Sequence, residues 1–306
     1  MRNAFAKAVT ELAEVDNEII LLSGDIGNRL FDNFKKKFPN RFYNCGVAEA
    51  SMTGLASGLA STGFVPITYT ITPFNTMRCL EQIRVDICYP NLPVIIVGTG
   101  AGLSYSSLGV THHSLEDINI MRMLPNMNVL CPADSMEVKL CLKAAIRQKK
   151  PCYIRLGKKG EPDLHRTEFD FKVGKVKVVE KGNDVAILSV GNMAGVSIEV
   201  SKNLKDQGIS TEIVSLHTIK PLDDTYLKFA FENFKLIVVL EEHGMVGGAG
   251  SAILEWLYRN KIDTKKLLLK HTPDEFLVAI GNQFEARSHL GLDAINISNS
   301  IMEIVK

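Results

Sequence analysis

Short apolar runs alternate with segments of helical periodicity along this chain, and that alternation constrains the fold more than any other feature. Residues 19–22 read IILL, a continuous apolar run typical of a strand buried on both faces of a sheet. The preceding segment, residues 2–14, places Phe5 and Val9 on one face of a helix. Neighbouring parallel strands need a long crossover, usually a helix, so the alternation predicts an α/β fold built on mostly parallel sheets.

The same pattern continues to the end of the chain. In the first half, further strands are predicted at residues 41–45, 64–69, 93–98, 128–131 and 152–156, with helices at 31–38, 49–61, 75–88 and 135–148. In the second half, strands are predicted at 175–179, 184–189, 211–215, 236–240 and 267–270, with helices at 194–207, 223–231, 248–259 and 294–305.

The length of 306 residues predicts two domains at about 150 residues each. Residues 161–174 are polar and contain both Pro and Gly, so they are interpreted as a linker. We therefore expect one domain over residues 1–160 and a smaller one over 175–306, both doubly wound α/β units.

Charge and cysteine content exclude several classes of protein. The formal net charge is +1, which argues against a nucleic-acid binder. No apolar run reaches the ~18 residues of a membrane span, and the N-terminus lacks the apolar core of a signal peptide. The six cysteines form no C-x-x-C pair, so we expect reduced thiols and a cytoplasmic protein.

Residues 41–59, RFYNCGVAEASMTGLASGL, are the most informative segment for function. A predicted strand ends near Gly46, and Glu49 then opens a helix made almost wholly of small residues. Because this helix is poor in charged residues, Glu49 is expected to be buried or at an interface. Burial raises the pKa of a carboxyl group, and the helix N-terminus opposes that rise because it favours the anion. Judged on these residues alone, Glu49 could equally be an N-terminal capping carboxylate.

Several motifs occur in the order found in one known family. Residues 44–59 resemble the pyrimidine-binding half of thiamine-diphosphate enzymes of the transketolase family, whose strand–Gly-Val-x-Glu–helix motif carries a catalytic glutamate. Two further segments resemble family motifs. One is residues 73–101, in which EQIR follows an aromatic residue and an arginine, and the other is residues 109–113 (GVTHH). Residues 125–127, 132–134, 241–243 and 247–250 also resemble family segments, so the resemblance covers nearly the whole chain.

The resemblance implies a thiamine diphosphate site. Glu49 would hydrogen-bond the aminopyrimidine ring nitrogen and share a proton with it. Phe74 would stack on the pyrimidine, with Tyr69 as the second candidate for that contact. Ile26, following Asp25, would support the bent cofactor, and Arg78 belongs to the matching aromatic–arginine motif; the implied cofactor-binding residues are therefore Asp25, Ile26, Glu49, Tyr69, Phe74 and Arg78.

The resemblance also implies a two-carbon transfer from a ketose to an aldose. His112 would be catalytic and substrate-facing, where it could steady hydroxyls or exchange protons. Arg2 and Arg155 match positions that hold a sugar phosphate, and Asn28 lies in a segment, residues 25–29, that differs from the usual family sequence. Arginine suits phosphate because its donors form a planar fork. The identity of the sugar, and whether it is phosphorylated, stay open.

One part of the family pattern is missing from these residues. The chain contains no G-D-G motif followed by paired asparagines, with which the family binds the cofactor diphosphate and a divalent metal. We therefore expect the C-terminal half of a split transketolase, with magnesium or calcium held by a separate N-terminal subunit and none held here. An α2β2 heterotetramer is the assembly that the family implies.

Three other interpretations remain open. The β-subunit of a 2-oxo acid dehydrogenase shares the fold and the glutamate, but residues 109–112 (GVTH) favour transketolase. A 1-deoxyxylulose-5-phosphate synthase-like enzyme is a further alternative, although such enzymes usually carry both domains in one chain. A catalytically silent α/β scaffold is the non-enzymatic alternative, and the presence of Glu49, His112 and Arg155 argues against it.

Overall fold

The protein is an α/β structure with two mostly parallel sheets, as predicted. The computed structural model describes residues 1–27, 29–277 and 281–305. Its strands, in chain order, are β1 (Ile19–Ser23), β2 (Phe42–Asn44), β3 (Val65–Ile71), β4 (Ile95–Thr99), β5 (Asn128–Leu130), β6 (Cys152–Leu156), β7 (Lys177–Glu180), β8 (Val185–Ser189), β9 (Thr211–Ser215), β10 (Thr218–Lys220), β11 (Leu236–Gly244) and β12 (Leu267–Thr272).

Helices cover both faces of each sheet. They are α1 (Arg2–Val15), α2 (Asp32–Lys37), α3 (Glu49–Ser61), α4 (Thr72–Thr76), α5 (Leu80–Gln82), α6 (Asp117–Arg122), α7 (Ser135–Gln148), α8 (Ala194–Lys205), α9 (Asp224–Asn233), α10 (Ala249–Asn260), α11 (Gln283–His289) and α12 (Ala294–Val305). No helix in the described ranges combines the length and the apolar character that crossing a membrane requires.

The first sheet has the strand order β10-β5-β6-β4-β3-β1-β2. Its central strands are parallel and buried on both sides, which explains their continuous apolar runs. One face packs on α1, α2 and α7, and the opposite face packs on α3 and α6. The strand at one edge, β10, comes from the second half of the chain and pairs antiparallel with β5.

The second sheet has the order β12-β11-β8-β9-β7. Its strands are parallel except for β7, which runs antiparallel to β9 at the edge. Helices α8 and α12 cover one face, and α9 and α10 cover the other. This second face and the α3–α6 face of the first sheet share one continuous apolar core.

The helix predicted over residues 75–88 is instead broken into short pieces. A 3-10 turn at Met77–Cys79 separates α4 from α5, and a π-helical turn follows at Ile83–Cys88. The buried Asn75 amide donates to the Val97 carbonyl (2.9 Å) and to Thr68 Oγ1 (3.2 Å), which fixes α4 on the sheet. Sequence periodicity also missed β10, α6 and α11, because each is too short to show a period.

The segment after β6, predicted as a linker, is anchored to the first sheet's helices. Asp134 caps α7 by accepting from the Glu137 N–H, and its second oxygen accepts from the backbone N–H groups of Leu164 and His165, both at 2.9 Å. The His165 ring contacts the same oxygen at 3.0 Å. One carboxylate therefore holds both the helix start and the segment that leads to the second sheet.

Glu137 makes the stability of this junction depend on pH. Burial raises the pKa of Glu137 to about 7, against the opposing effects of the Ala133 N–H, His165 and Ser215, while Asp134 adds to the rise. Because the folded state holds this proton longer than the unfolded chain does, the stabilisation present at low pH is lost as pH rises toward 7. Relative to wild type, we expect Glu137→Gln to be more stable at pH 8 than at pH 4.5 by about 3 kcal/mol, measured by urea unfolding at both pH values. An equal difference at both pH values would contradict this assignment.

Candidate functional site

Six of the predicted site residues lie at one edge of the first sheet, where the parallel strands β1, β2, β3 and β4 end. In open α/β sheets this carboxyl edge is the usual position of a binding site. Asp25 and Ile26 follow β1, and Glu49 follows β2. Phe74 and Arg78 follow β3, and His112 follows β4.

Glu49 is buried in the first turn of α3, with 4% of its surface exposed. Gly46 makes the turn between β2 and α3 with φ of 69°, a conformation that favours glycine. A buried carboxylate at a helix N-terminus benefits from the helix dipole but still requires donors. The sequence and the structure therefore agree that this carboxylate is enclosed, while its chemical role stays a prediction.

Arg78 is the cation beside Glu49. Its Nη1 lies 3.3 and 3.4 Å from the two carboxylate oxygens, and the arginine side chain is 48% exposed. Two such long contacts to a half-exposed guanidinium leave accepting capacity on the carboxylate. The Arg78 guanidinium also lies 3.9 Å from the centre of the Phe74 ring, so it bridges the acid and the aromatic side chain.

His112 also lies against Phe74. The two ring centres are 5.3 Å apart in an edge-to-face arrangement. Thr111 Oγ1 and His112 Nδ1 are 2.9 Å apart, so Nδ1 is engaged and Nε2 is the ring nitrogen left for another group. Burial, together with Arg78 and His113, lowers the pKa of His112 below its usual 6.5, so the imidazole is neutral at pH 7.

Phe74, Arg78 and His112 line a cleft of about 780 Å³ between the two sheets' units. The opposite wall comes from the end of β11 and from the segment after β12, including Met245, Val246, Pro273, Asp274, Glu275 and Phe276. A cleft of this size, lined by apolar, polar and charged side chains, can hold a cofactor or a substrate.

The residues present fit the aminopyrimidine that the family resemblance implies. Glu49 supplies a carboxylate oxygen with spare accepting capacity, and Phe74 supplies an aromatic face at the cleft wall. Thr70 Oγ1 lies beside Gly24 and, within the described chain, is buried without a hydrogen-bond partner. A Cβ on Gly24 would lie 3.1 Å from Thr70 and 3.5 Å from Glu49 Cγ, so glycine keeps this corner tight. In the ranges that the structure describes, no group of three or more metal-ligating side chains is assembled.

Asp25 and Ile26 are placed at the same edge by local bonds. The Asn44 amide donates to Asp25 Oδ1 at 2.9 Å, and the Ser23 hydroxyl donates to the Ile26 carbonyl at 2.7 Å. Ile26 is half-buried, and Asp25 is exposed. Their roles toward a cofactor stay predictions, and Asn28 lies outside the described residues.

Tyr69 does not face the cleft, so the structure contradicts the predicted contact between Tyr69 and the cofactor. Its ring is stacked on Phe5 of α1 at 5.3 Å and meets Phe31 edge-on at 4.9 Å. Because side chains alternate along β3, Thr70 points toward Glu49 while Tyr69 points to the opposite face. Burial raises the pKa of Tyr69. A hydrogen bond with the Thr99 side chain and the charge of Arg2 offset that rise only in part.

Arg155 is buried and paired with Asp117, so the structure does not support the predicted contact with a substrate phosphate. Its side chain is 1% exposed, and it forms a two-point ion pair with Asp117 at 2.7 and 3.2 Å. Its Nη2 also donates to the carbonyls of Ser114 and Glu242 at 2.9 Å each. Asp117 was not singled out from the sequence, because nothing local marks it as the partner of a residue 38 positions away.

Arg2, the other predicted phosphate ligand, is half-buried at the start of α1. Its Nε donates to the carbonyl oxygen of Lys158, just after β6, at 3.3 Å. This contact brings the start of α1 to the carboxyl edge of the sheet. The role of Arg2 toward a substrate stays a prediction.

Comparison with known proteins identifies both units. Models described as "Transketolase, pyrimidine binding domain" and "Transketolase, C-terminal domain" match residues 1–161 and 174–294. An apulose-4-phosphate transketolase subunit of Phocaeicola vulgatus is 32% identical over 307 residues, which cover 100% of this chain and 97% of that protein. A 6-deoxy-6-sulfo-D-fructose transketolase subunit of Clostridium sp. (strain MSTE9) is 32% identical over 261 residues, 85% of this chain and 81% of that protein. A solved structure described as a split gene transketolase, inactive beta4 tetramer, superposes with a TM-score of 0.89 at 32% identity, covering 99% of this chain and 97% of that one.

Proposed function

This chain belongs to the transketolase family, and from that premise we propose that it is the C-terminal subunit of a split transketolase. The complex with its partner transfers a two-carbon ketol unit from a ketose to an aldose. The observation that carries the proposal is Glu49, a carboxylate 4% exposed whose single ion-pair partner in the described chain is a half-exposed arginine.

The cofactor of this reaction is thiamine diphosphate, which when bound supplies an acidic C–H that becomes a carbon nucleophile. Glu49 would share a proton with the aminopyrimidine ring nitrogen through one of its carboxylate oxygens. Phe74 gives the ring an aromatic contact, and Arg78 stays beside the Glu49 carboxylate. His112, neutral and with Nδ1 engaged by Thr111, directs Nε2 to a substrate hydroxyl. Ile26, which follows Asp25 at the end of β1, would support the cofactor in its bent shape.

The diphosphate and its metal are assigned to the partner subunit. The described residues assemble no group of three metal-ligating side chains, and the sequence contains no G-D-G motif with paired asparagines. We propose that a separate N-terminal subunit binds the diphosphate through magnesium or calcium, and that the two kinds of subunit form an α2β2 heterotetramer. All six cysteines are free thiols, which supports a reducing, cytoplasmic location.

The exposed face of α3 supports a partner that covers the site. The exposed residues along this face are Ala50, Ser51, Leu55 and Gly58. A Cβ added to Gly54 or to Gly58 would meet no other atom within 4 Å. The chain's own packing therefore does not require glycine there, whereas close approach of another backbone would. Val47 (72% exposed) and Tyr89 (86%) add apolar surface around it. We propose that the N-terminal subunit packs on this face.

The isolated chain is expected to show no ketol transfer, and addition of the N-terminal subunit is expected to produce it. The similar split gene transketolase structure is described as an inactive beta4 tetramer, which supports this expectation. The measurement is a coupled assay of ketose consumption, with a 2-oxo acid as an alternative donor. Turnover by the purified chain alone, or carbon dioxide release from the oxo acid in place of ketol transfer, would contradict the proposal.

The docking face is tested separately by Gly54→Leu. Because that position has open space, the variant is expected to fold normally, since leucine favours the helix more than glycine. Its association with the partner is expected to weaken about tenfold or more, measured by analytical ultracentrifugation. Lys205→Leu, on an exposed part of α8, is the matched control that should leave association unchanged.

The substrate class is proposed from the similar proteins. One is named for apulose 4-phosphate and another for 6-deoxy-6-sulfo-D-fructose, and both sugars carry an anionic group at one end. We therefore propose a ketose or aldose substrate with a terminal phosphate or sulfonate. Arg155 is buried against Asp117, so its charge is not free for that anionic group.

A further inference from the structure

His112 is carried by a loop whose two ends are joined to each other. Gly102 and Ser114 pair as an isolated antiparallel bridge, in which the Ser114 N–H donates to the Gly102 carbonyl at 3.0 Å. A compact loop with paired ends keeps its place through the bonds at those ends. The position of His112 therefore depends on what holds the loop neck, which we define as residues 101–104 and 114–115.

Side chains from the unit built on the second sheet bind the first half of the loop neck. The Leu103 N–H donates to Glu242 Oε2 at 3.1 Å. Asn192 Nδ2 donates to the Ala101 carbonyl at 3.4 Å and to the same Glu242 oxygen at 2.8 Å. Gly102 has a φ of 59°, and a Cβ there would overlap the Glu242 side chain. The Glu242 carboxylate therefore lies directly against the loop neck.

The end of β11 binds the second half of the loop neck as well. Arg155 Nη2 donates to the carbonyls of Ser114 and Glu242 at 2.9 Å each, and so joins the two backbones. The Gly244 N–H donates to the Leu115 carbonyl at 2.8 Å. A small apolar cluster adds to these bonds, and its buried members are Leu103, Leu115, Leu277 and Ala286. Glu242 thus contacts both halves of the neck, one through its carboxylate and the other through its carbonyl.

The carboxylate of Glu242 is fully buried and accepts from several donors. Besides Leu103 and Asn192, it accepts from Gln283 Nε2 at 3.0 Å and from Arg287 Nε. Burial tends to raise the pKa of Glu242, but Arg287, the Leu103 N–H and Asn192 hold that pKa below its usual 4.5. Because these partners all donate, an amide at this position has to turn its own NH2 group toward donors. The charged Arg287 keeps the amide oxygen, so the Leu103 N–H loses its acceptor.

We propose that Glu242 is a positioning residue for His112, because it fixes the neck of the loop that carries the imidazole. The unit built on the second sheet then takes part in the reaction through a side chain of the first unit. This inference rests on the proposed function, since it assumes that His112 Nε2 meets the substrate. Glu242 is fully buried, so it acts through the loop and not on the substrate.

Hydrogen–deuterium exchange of the full chain, read by mass spectrometry, tests whether Glu242 fixes the loop. We expect Glu242→Gln to speed exchange in peptides that cover residues 103–114 by about tenfold or more. Asn192→Ala leaves the Glu242–Arg287 ion pair in place and removes one bond to the neck, so it should speed the same peptides by a smaller factor. Exchange as slow as in wild type in both variants would overturn the proposal.

Asp223→Asn is the matched control, since Asp223 is another buried carboxylate of the same unit. It accepts from the N–H groups of Tyr226 and Val176 at 3.1 Å each, and both lie outside the loop neck. We expect a lower thermal midpoint in this control with unchanged exchange in residues 103–114. If the control speeded loop exchange as much as Glu242→Gln does, a general loss of stability would explain both, and the assignment would be rejected.

A double-mutant cycle in the reconstituted complex tests whether Glu242 acts through His112. We expect Glu242→Gln to lower kcat/KM about tenfold in the wild-type background, and by about twofold or less in a chain that already carries His112→Ala. A residue that only stabilises the fold would lower kcat/KM equally in both backgrounds, and that result would overturn the assignment. A complex that transfers no ketol unit would contradict the proposed function alone, because loop exchange is measured without turnover and still supports or rejects the role of Glu242.

Discussion

Glu49→Gln in the reconstituted complex is expected to lower kcat by about 10²–10⁴-fold while leaving the protein folded. Glutamine has almost the shape of glutamate and can still accept from Arg78 Nη1, but it cannot hold a transferable proton. The expected defect is therefore specific to proton sharing with the aminopyrimidine. Its direct measure is the rate of hydrogen–deuterium exchange at C2 of the bound thiamine diphosphate, read by NMR after acid quench.

The matched control for this variant is Glu81→Gln. Glu81 lies in α5 close in sequence to Arg78, but it is exposed and accepts a hydrogen bond from the neighbouring Gln82 amide. We expect unchanged exchange and unchanged turnover in this control. If Glu49→Gln exchanged the C2 proton as fast as wild type, the role assigned to Glu49 would have to be given up, whatever happened to the overall rate.

Asp117→Ala is expected to cause the largest loss of stability, about 3–5 kcal/mol, because it leaves the Arg155 guanidinium buried without its counter-ion. The Tyr153 hydroxyl, which donates to Asp117 Oδ2 at 2.6 Å, would lose its acceptor as well. Such a loss corresponds to a fall in the thermal midpoint of about 10 °C for a chain of this size. Differential scanning calorimetry of the chain measures it directly.

The stabilising effect of Asp117 also has a defined dependence on pH. Burial tends to raise its pKa, but Arg155, with smaller contributions from His243 and Tyr153, holds the pKa of Asp117 below its usual 3.8. The stabilisation is therefore complete above pH 3.8 and is lost as pH falls through the lower, folded-state value. Asp170→Ala is the control, since the Lys172–Asp170 pair is 67% and 79% exposed. A midpoint in Asp117→Ala no lower than in this control would show that the buried pair does not stabilise the fold.

The regular elements could be predicted because their burial leaves a local trace in the sequence. The strand β6 and the helices α3, α7 and α12 have the predicted limits, since each is either a continuous apolar run or a long period with clear ends. The strand β10 could not be found, because it has three residues and owes its conformation to β5, which lies far away along the chain. The broken helix after β3 similarly depends on Asn75 bonding across to β4.

The candidate site was predictable where a motif fixes both the residue and its place. Glu49, Phe74, Arg78 and His112 converge because each follows a parallel strand, and parallel strands end at one edge. Tyr69 and Arg155 could not be assigned correctly, because a sequence does not state which face of the sheet a side chain takes or which partner it meets. Tyr69 faces α1, and Arg155 meets Asp117.

The pairing of β10 with β5 in the first sheet also has a consequence for recombination between genes that encode such proteins. A gene fragment that stopped after β6 would encode a sheet whose strand β5 had an open edge, and open edges invite pairing with other chains. If recombination replaced one unit alone, the new second unit would have to supply another strand that pairs with β5. Recombination between these units is therefore expected to be selected against, so that they pass from ancestor to descendant as a single block.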